Sequence, residues 1–311
     1  MPARTVSIRS MRVEALNRFA LVTLLALGGC KSMEHAAANR LGDALSDGGT
    51  AFTGDPDPDL VLDALPFGLK TYESFLAVSP KHRGLLLASA RGFTAYAFLL
   101  QQRADLDQRF DYADRRALDK RICALFIRGR DYALRGRALD DPAVDAELAA
   151  RRPLVRVRRD DVAFAYWAAA AWAGAVASAK DDPGLLVQLP LAVALMQRAL
   201  ELDETFDAGA IHEFFVTYEG SRPGGDIDAA RRHYARAIEL SHGARASVYL
   251  ALAEGATVQA QDAAEFKTLL QRALAVDPNA VAEWRLVNTV AQRRASWLQN
   301  RIPILFIDEE K

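Results

Sequence analysis

The sequence is poor in the residues from which disulfide frameworks and metal centres are built. Its 311 residues include two cysteines, at positions 30 and 123, and five histidines, at positions 35, 82, 212, 233 and 242. No histidine pair has the spacing of a zinc motif, and two cysteines cannot staple a scaffold of this length. We therefore expect no catalytic metal, no cofactor and no internal disulfide.

An excess of positive charge is also lacking. The chain has 39 Lys and Arg against 40 Asp and Glu, a formal net charge of −1. Nucleic-acid binding requires concentrated Lys and Arg, so this balance argues against a nucleic-acid partner. Hydrophobic residues make up 51% of the sequence, which is enough for a large core and argues against disorder.

The apolar run near the start of the chain is short. It covers residues 19–27, and as a helix it would measure about 14 Å, roughly half of a hydrocarbon core. Arginines precede it, and it ends in Leu27-Gly28-Gly29-Cys30. A positive segment, a short apolar core and small residues before a cut are typical of a secretory signal. The pattern resembles the lipobox of bacterial lipoproteins, in which Cys30 is acylated. The alternatives are a transmembrane helix or a chance Gly-Gly-Cys.

This signal divides the chain into three parts. We predict a signal peptide over residues 1–29, a lipidated Cys30 with a linker over 30–58, and a single helical domain over 59–311. Translation starts at either Met1 or Met11, since Met11 would leave a more usual basic segment.

The residues that follow Cys30 bear on the membrane that holds the anchor. Lys31 and Ser32 lack the aspartate that retains lipoproteins at the inner membrane in enterobacterial-type sorting. This favours attachment to the outer membrane. The other cysteine, Cys123, lies in an apolar helical context, so we expect a buried and unreactive thiol.

From Asp59 onward the pattern is helical. Apolar residues recur at intervals of three and four, Ala and Leu dominate, and alternating β-branched runs are scarce. Aspartates stand where helices should begin, and prolines where they should stop or restart. These residues are Asp59, Asp160, Asp181, Asp226, Asp262, Pro80, Pro142, Pro183, Pro223 and Pro278. The sequence predicts an all-α fold, with an extended connector over 153–159 as the exception.

One segment occurs three times in the C-terminal part. Gln197-Arg198-Ala199-Leu200-Glu201-Leu202-Asp203 returns at 235–241 and again at 271–277. The spacings of 38 and 36 residues are close to a tetratricopeptide repeat with short insertions. We predict tetratricopeptide-like helical hairpins stacked in an array, clearest over 185–300, with a less regular helical portion before them. A generic Ala/Leu-rich bundle is the alternative.

Catalytic motifs are incomplete. His212-Glu213-Phe214-Phe215-Val216 begins like the zinc-protease helix motif, but Val216 stands where the second histidine is required. Pro223-Gly224-Gly225-Asp226 lacks the Lys-Ser/Thr of a phosphate loop, and we interpret it as a helix-to-helix turn in which Asp226 caps the next helix. We therefore expect that the protein is not an enzyme. The alternative is a helical hydrolase with clustered carboxylates in a cleft, which no sequence motif would mark.

Aromatic and polar residues suggest a ligand cavity. Trp167 and Trp172 lie on an alanine-rich helix about 140° apart, so they face different surroundings. His212 and Tyr218 lie on a later helix. Small and aromatic residues with few polar groups are typical of apolar pockets. We name these four residues as a candidate ligand cavity; a buried central helix and a structural histidine are the alternatives.

Several segments taken together resemble a known family. They are Leu65-Pro66-Phe67-Gly68-Leu69-Lys70, the helix over 85–98, Tyr166-Trp167-Ala168-Ala169-Ala170-Ala171-Trp172, Gly209-Ala210-Ile211-His212-Glu213-Phe214, Pro223-Gly224-Gly225-Asp226 and Ala291-Gln292-Arg293-Arg294-Ala295. The resemblance is to the TatT component of tripartite ATP-independent periplasmic (TRAP) transporters, a tetratricopeptide-like lipoprotein family, and it covers most of the mature chain.

The resemblance implies a non-catalytic accessory protein that associates with the solute-binding subunit of the transporter. It also implies handling of an apolar or organic-acid ligand, and formation of a homo-oligomer. We expect the concave face of the array to dock the solute-binding protein. The alternative function is a tetratricopeptide scaffold lipoprotein for cell-envelope assembly.

Overall fold

The computed structural model of the chain describes residues 50–107, 111–154 and 156–307, together with Arg40 and residues 42–44. Every regular element in these ranges is a helix, so the all-α prediction is confirmed for them. The predicted signal peptide, Cys30 and most of the predicted linker lie outside the described residues.

The N-terminal half combines long helices with short ones, and its long helices pack side by side in chain order. The helices of this half are α1 (Thr50–Thr53), α2 (Pro58–Val78), α3 (Arg83–Leu106), α4 (Tyr112–Ala138), α5 (Val144–Ala149), α6 (Val162–Ser178), α7 (Pro183–Leu186) and α8 (Leu189–Leu202). Helix α6 contacts α3, α4 and α8, so it lies at the centre of this half.

The C-terminal helices are shorter and form hairpins. They are α9 (Ala210–Ser221), α10 (Ile227–Leu240), α11 (Ala246–Leu252), α12 (Ala263–Ala275), α13 (Arg285–Gln299) and α14 (Ile302–Leu305). A π turn over Ala253–Thr257 continues α11, and 3-10 turns over Phe206–Gly209 and Ala282–Trp284 precede α9 and α13.

Aspartates begin many of these helices, because a side-chain carboxylate accepts the unpaired N–H groups of the first turn. Asp226 accepts from Ala229 at 2.8 Å, and Asp262 caps α12 in the same way, which confirms both predictions. Helix α2 is capped by Asp57, two residues before the predicted Asp59, and α7 by Asp182.

The repeated segment occupies the C-terminal ends of α8, α10 and α12. Its alanines, Ala199, Ala237 and Ala273, are each fully buried, as expected where helices approach closely. Their arrangement as a tetratricopeptide superhelix stays a prediction.

Two hydrophobic cores fill the molecule. The first lies among α2 to α8, and the second among α11, α12, α13 and the C-terminal Phe306. Helix α9 contributes Phe215 to the first core and the adjacent Val216 to the second. Helix α13 does the same with Val290 and Ala291. These two helices join the cores into one body.

One stretch, Pro183–Leu202, is long and apolar enough to span a membrane by length and composition, within the ranges given above. In the structure it is divided into α7 and α8. Leu195 and Met196 are fully buried in the first core, so the inner face of this stretch packs as a core helix does.

Helix α13 closes the array onto its beginning. The Arg285 guanidinium donates to the Gly54 carbonyl at 3.0 Å, and Arg293 donates to Asp59 at 2.7 Å. Gly54 lies before α2, and Asp59 lies in its first turn. Contacts between neighbouring helices therefore run along the chain from α2 to α13, and α13 in turn contacts α2. Thus residues 50–54, which belong to the predicted linker, pack against the body.

A close backbone approach in the second half joins α9 to the π turn. A Cβ atom at Gly255 would lie 2.9 to 3.0 Å from the backbone of Gly220, which is closer than real Cβ contacts allow. Gly255 is therefore required by the close approach of two backbones, and a Cβ atom at Gly220 would fit only tightly, 3.1 Å from the Ala256 nitrogen.

We predict that Gly255→Ala lowers the free energy of unfolding by about 1 to 3 kcal/mol, because the added methyl group must push the two helices apart. Gly68→Ala is the control, since its Cβ would meet only a Phe52 ring carbon at 3.6 Å and alanine favours the helix. Urea unfolding followed by circular dichroism measures both. Equal stability of the two variants would contradict the close approach.

Candidate functional site

The predicted cavity residue Trp172 lies deep in the first core. Its side chain is 1% exposed, and its indole N–H donates to Gln188 Oε1 at 3.0 Å. The Arg130 guanidinium lies over the ring, 5.2 Å from its centre. The Trp172 ring is packed and its indole N–H has a hydrogen-bond partner inside the protein. The surroundings of Trp172 are therefore those of a structural core residue.

Trp167 lies on another side of α6 and is half-buried. It contacts the neighbouring Tyr166 edge to face, and the Tyr166 ring lies 5.0 Å from Phe206. Phe206 opens the 3-10 turn before α9. This side of α6 therefore faces the C-terminal half of the molecule.

His212 and Tyr218 lie in a third environment, between α9 and α10. His212 Nδ1 is 2.8 Å from Nδ1 of His233 on α10. Tyr218 stacks on Phe214 and also meets Phe215 edge to face. The structure brings His212 and Tyr218 near each other through Phe215 and His233, and it places Trp172 elsewhere.

An open cavity of about 800 Å³ lies away from these four residues. It lies between the C-terminal end of α3, the N-terminal end of α4 and the segment from α6 to α7. Its lining includes Tyr112, Arg116, Lys120, Cys123, Lys180 and Pro183. The Cys123 thiol is buried, and burial raises its pKa, in agreement with the expected unreactive thiol.

Arg245 is a buried charged residue that the sequence reasoning missed. It is 6% exposed, just before α11. Its guanidinium donates to the Asp207 carbonyl at 2.7 Å and to the Asp207 carboxylate at 3.2 Å, and its Nε lies 3.4 Å from Glu213. The Trp284 ring lies 5.5 Å from the guanidinium carbon. We call Arg245, Asp207 and Glu213 the Arg245 cluster.

A strained turn holds Asp207 in this cluster. Asp207, Ala208 and Gly209 have φ values of 43°, 49° and 91°, so three successive residues are left-handed. Only glycine adopts this region without cost, and such strain persists where surrounding contacts determine it. The hydrogen bonds from Arg245 to Asp207 are contacts of that kind.

The Arg245 cluster faces the N-terminal half of the molecule. Arg245, Glu213 and Asp207 act electrostatically on the Tyr166 hydroxyl, and burial is the main cause that raises the pKa of this tyrosine. Asp207 also attracts Arg91 on α3. The cluster thus lies where the two halves meet, beside Tyr166 and Trp167.

A second polar group lies on the same junction. Arg294 on α13 pairs with Glu254 in the π turn at 2.7 Å and with Asp105 on α3 at 3.4 Å. Burial raises the pKa of Glu254, and Arg294 counteracts this effect. Arg115 pairs with Asp105 from the other side at 2.7 Å. Both carboxylates are held by arginines.

The Arg245 cluster and the pairs made by Arg294 together make up the polar part of this junction. Its charged groups are paired with each other, and no group of three or more His, Cys, Asp or Glu among the described residues could hold a metal ion. No signal in the sequence marks Arg245, because it is a lone arginine in a small-residue stretch and its partners lie 32 to 38 residues before it.

Comparison with known proteins gives two matches. A family model described as TRAP transporter T-component matches residues 54–306, which include all helices from α2 to α14. An uncharacterized protein of Treponema pallidum (strain Nichols) is 27% identical across 93% of this chain and 97% of that protein.

We predict that Arg245→Met lowers the free energy of unfolding by about 1.5 to 3 kcal/mol, because it removes the hydrogen bonds of a buried charged group to Asp207 and leaves the half-buried Glu213 without its cation. The double variant Arg245→Met with Glu213→Gln should recover part of this loss. Arg293→Met is the control: its pair with Asp59 is exposed, and its loss should cost at most about 1 kcal/mol. Chemical denaturation measures all three. Similar losses for Arg245→Met and Arg293→Met would contradict a buried ionic cluster.

Proposed function

The chain belongs to the TRAP transporter T-component family, and from this premise we propose that it is a lipid-anchored, periplasm-facing accessory component of a TRAP transport system. The observation that carries the proposal is the match over residues 54–306, which spans both hydrophobic cores and the junction between them. The family is one of transporter components rather than of enzymes.

We propose that the protein acts by binding and not by catalysis. The paired state of the Arg245 cluster supports this, because a general acid or base needs a group free to exchange protons with a substrate. The Asp207 and Glu213 carboxylates instead face a buried arginine. Such an arrangement fixes the shape and the charge distribution of the surface around it.

The proposed partner is the solute-binding subunit of the transporter. Binding through a surface built from several stacked helices suits a soluble protein partner. The proposed ligand is either an apolar molecule or an organic acid, and it reaches the junction beside Trp167 and Tyr166. Half-buried aromatic rings next to a few fixed charges are typical of small-molecule sites, which supports this choice over the buried surroundings of Trp172.

We further propose that the anchor is a lipid on Cys30 in the outer membrane. The short apolar run before Leu27-Gly28-Gly29-Cys30 and the absence of aspartate in Lys31-Ser32 support this. A tether raises the local concentration of the protein near a periplasmic partner.

We predict that the full chain expressed in a Gram-negative host incorporates labelled palmitate and sediments with membranes, and that Cys30→Ser abolishes both. Cys123→Ala is the matched control, since it removes the only other cysteine and leaves the lipobox intact. Fluorography and membrane fractionation give the readouts. Labelling that persists in Cys30→Ser, or that is absent from the wild type, would contradict the anchor.

We also predict that the protein, purified with mild detergent from its own membranes, carries the solute-binding subunit. Chemical crosslinking before lysis followed by mass spectrometry identifies the partner, and native mass spectrometry reports stoichiometry and retained ligand. Recovery of outer-membrane assembly factors or peptidoglycan enzymes in place of the subunit would support the scaffold alternative and overturn the transport proposal.

A further inference from the structure

Two histidines meet between α9 and α10. His212 Nδ1 and His233 Nδ1 are 2.8 Å apart, which is a hydrogen-bond distance. His212 is 7% exposed, and Phe215 stacks on the His233 ring at 5.0 Å between ring centres. The two imidazoles are therefore fixed side by side within the hairpin.

Charged groups of both signs surround this pair. Glu204, in the segment before α9, lies 3.6 Å from His212 Nε2 and accepts from Arg236 on α10 at 2.6 Å. Glu219 on α9 attracts His233, and Arg232 on α10 repels it. The carboxylates favour protonation of the pair, and the arginines oppose it.

The proton count of the pair determines whether it can form. A hydrogen bond between two Nδ1 atoms needs one atom that carries hydrogen and one that does not. A first added proton can be placed on His212 Nε2, facing Glu204, with the bond to His233 intact. A second proton places hydrogen on both Nδ1 atoms, which removes the acceptor and sets two positive rings against each other.

We propose that His212 and His233 form a pH-operated latch that holds α9 against α10 while the pair shares one Nδ1 hydrogen, and that opens when both rings are protonated. The latch is a property of this chain alone and does not depend on the proposed transport role.

The direction of the pH response follows from burial. Burial lowers the pKa of both histidines below the ordinary 6.5, so the folded hairpin favours neutral rings and the unfolded chain binds more protons. The latch is therefore closed above pH 6.5 and is lost as the pH falls from 6.5 through the lowered pKa values of the folded state.

Opening of the latch would also change the contacts at the junction between the two halves. Helix α9 carries Glu213, the residue that follows His212 and approaches Arg245. The strained turn with Asp207 lies between Glu204 and the start of α9. A movement of α9 away from α10 thus changes the Arg245 cluster, so acidification should loosen both regions together.

Hydrogen exchange of the full chain at pH 7.5 and pH 5.0, corrected for intrinsic rates, tests the latch. We expect exchange across α9 and α10 to rise by about tenfold for each pH unit per proton taken up below pH 6.5, with little change in α3 and α4. His233→Gln keeps a neutral donor beside His212 and should reduce the pH effect to that of the single proton taken up by His212, at most about tenfold per pH unit. His242→Asn is the control: His242 is exposed, has a φ of 51° that asparagine tolerates, and its loss should leave the effect as in wild type.

A rise that is as steep in His233→Gln as in the wild type, or no rise in the wild type, would overturn the proposal. If His233→Gln does not fold, NMR titration of the histidine rings in the wild-type chain decides the question. A latch requires two coupled titrations, both lowered from the ordinary 6.5, because interacting groups lose their protons in separate steps. Independent titration of both rings near pH 6.5 would equally overturn it.

Discussion

Helix α13 is the element on which the rest of the structure depends. Its apolar side chains enter both cores, and its polar side chains complete the ends of other helices. Asn288 is 1% exposed, accepts from the Ala246 N–H and donates to the Ala244 carbonyl, so it caps α11. Gln292 donates to the Val276 carbonyl at 2.6 Å at the end of α12. A helix end buried without such partners is costly, so the α11–α12 hairpin needs α13 in place.

The two kinds of contact made by α13 contribute differently to stability. Its ion pair with Asp59 is exposed on both sides, and such pairs contribute little. Val290, Ala291 and Leu298 are buried, and burial of apolar surface contributes about 25 cal/mol per Å². The stability that α13 contributes is therefore mainly hydrophobic, from Val290 in the first core and from Ala291 and Leu298 in the second. The arginines determine the register in which α13 lies against α1, α2 and α3.

The sequence predicts what is local and misses what is distant. Helical periodicity, the caps at Asp226 and Asp262 and the buried alanines of the repeat depend on neighbours within a few residues. The four predicted cavity residues lie on two helices. The periodicity of each helix does not show how the two helices face each other. Arg245 lies 38 residues from Asp207 and His233 lies 21 from His212, so only the packed structure shows these pairs.

The segment between Glu204 and His212 combines strain with titratable groups. It contains two non-glycine residues at positive φ, a carboxylate that joins Arg236 to His212, and the carbonyl that holds Arg245. Left-handed backbone costs of the order of 1 kcal/mol or more per residue, and a buried ion pair adds little net stability. The cores supply the stability, so these polar contacts act on geometry instead. They select one arrangement of α8 relative to α9, and packed cores change between discrete arrangements rather than continuously. The junction beside Tyr166 thus combines a strained turn with the charged groups that hold it.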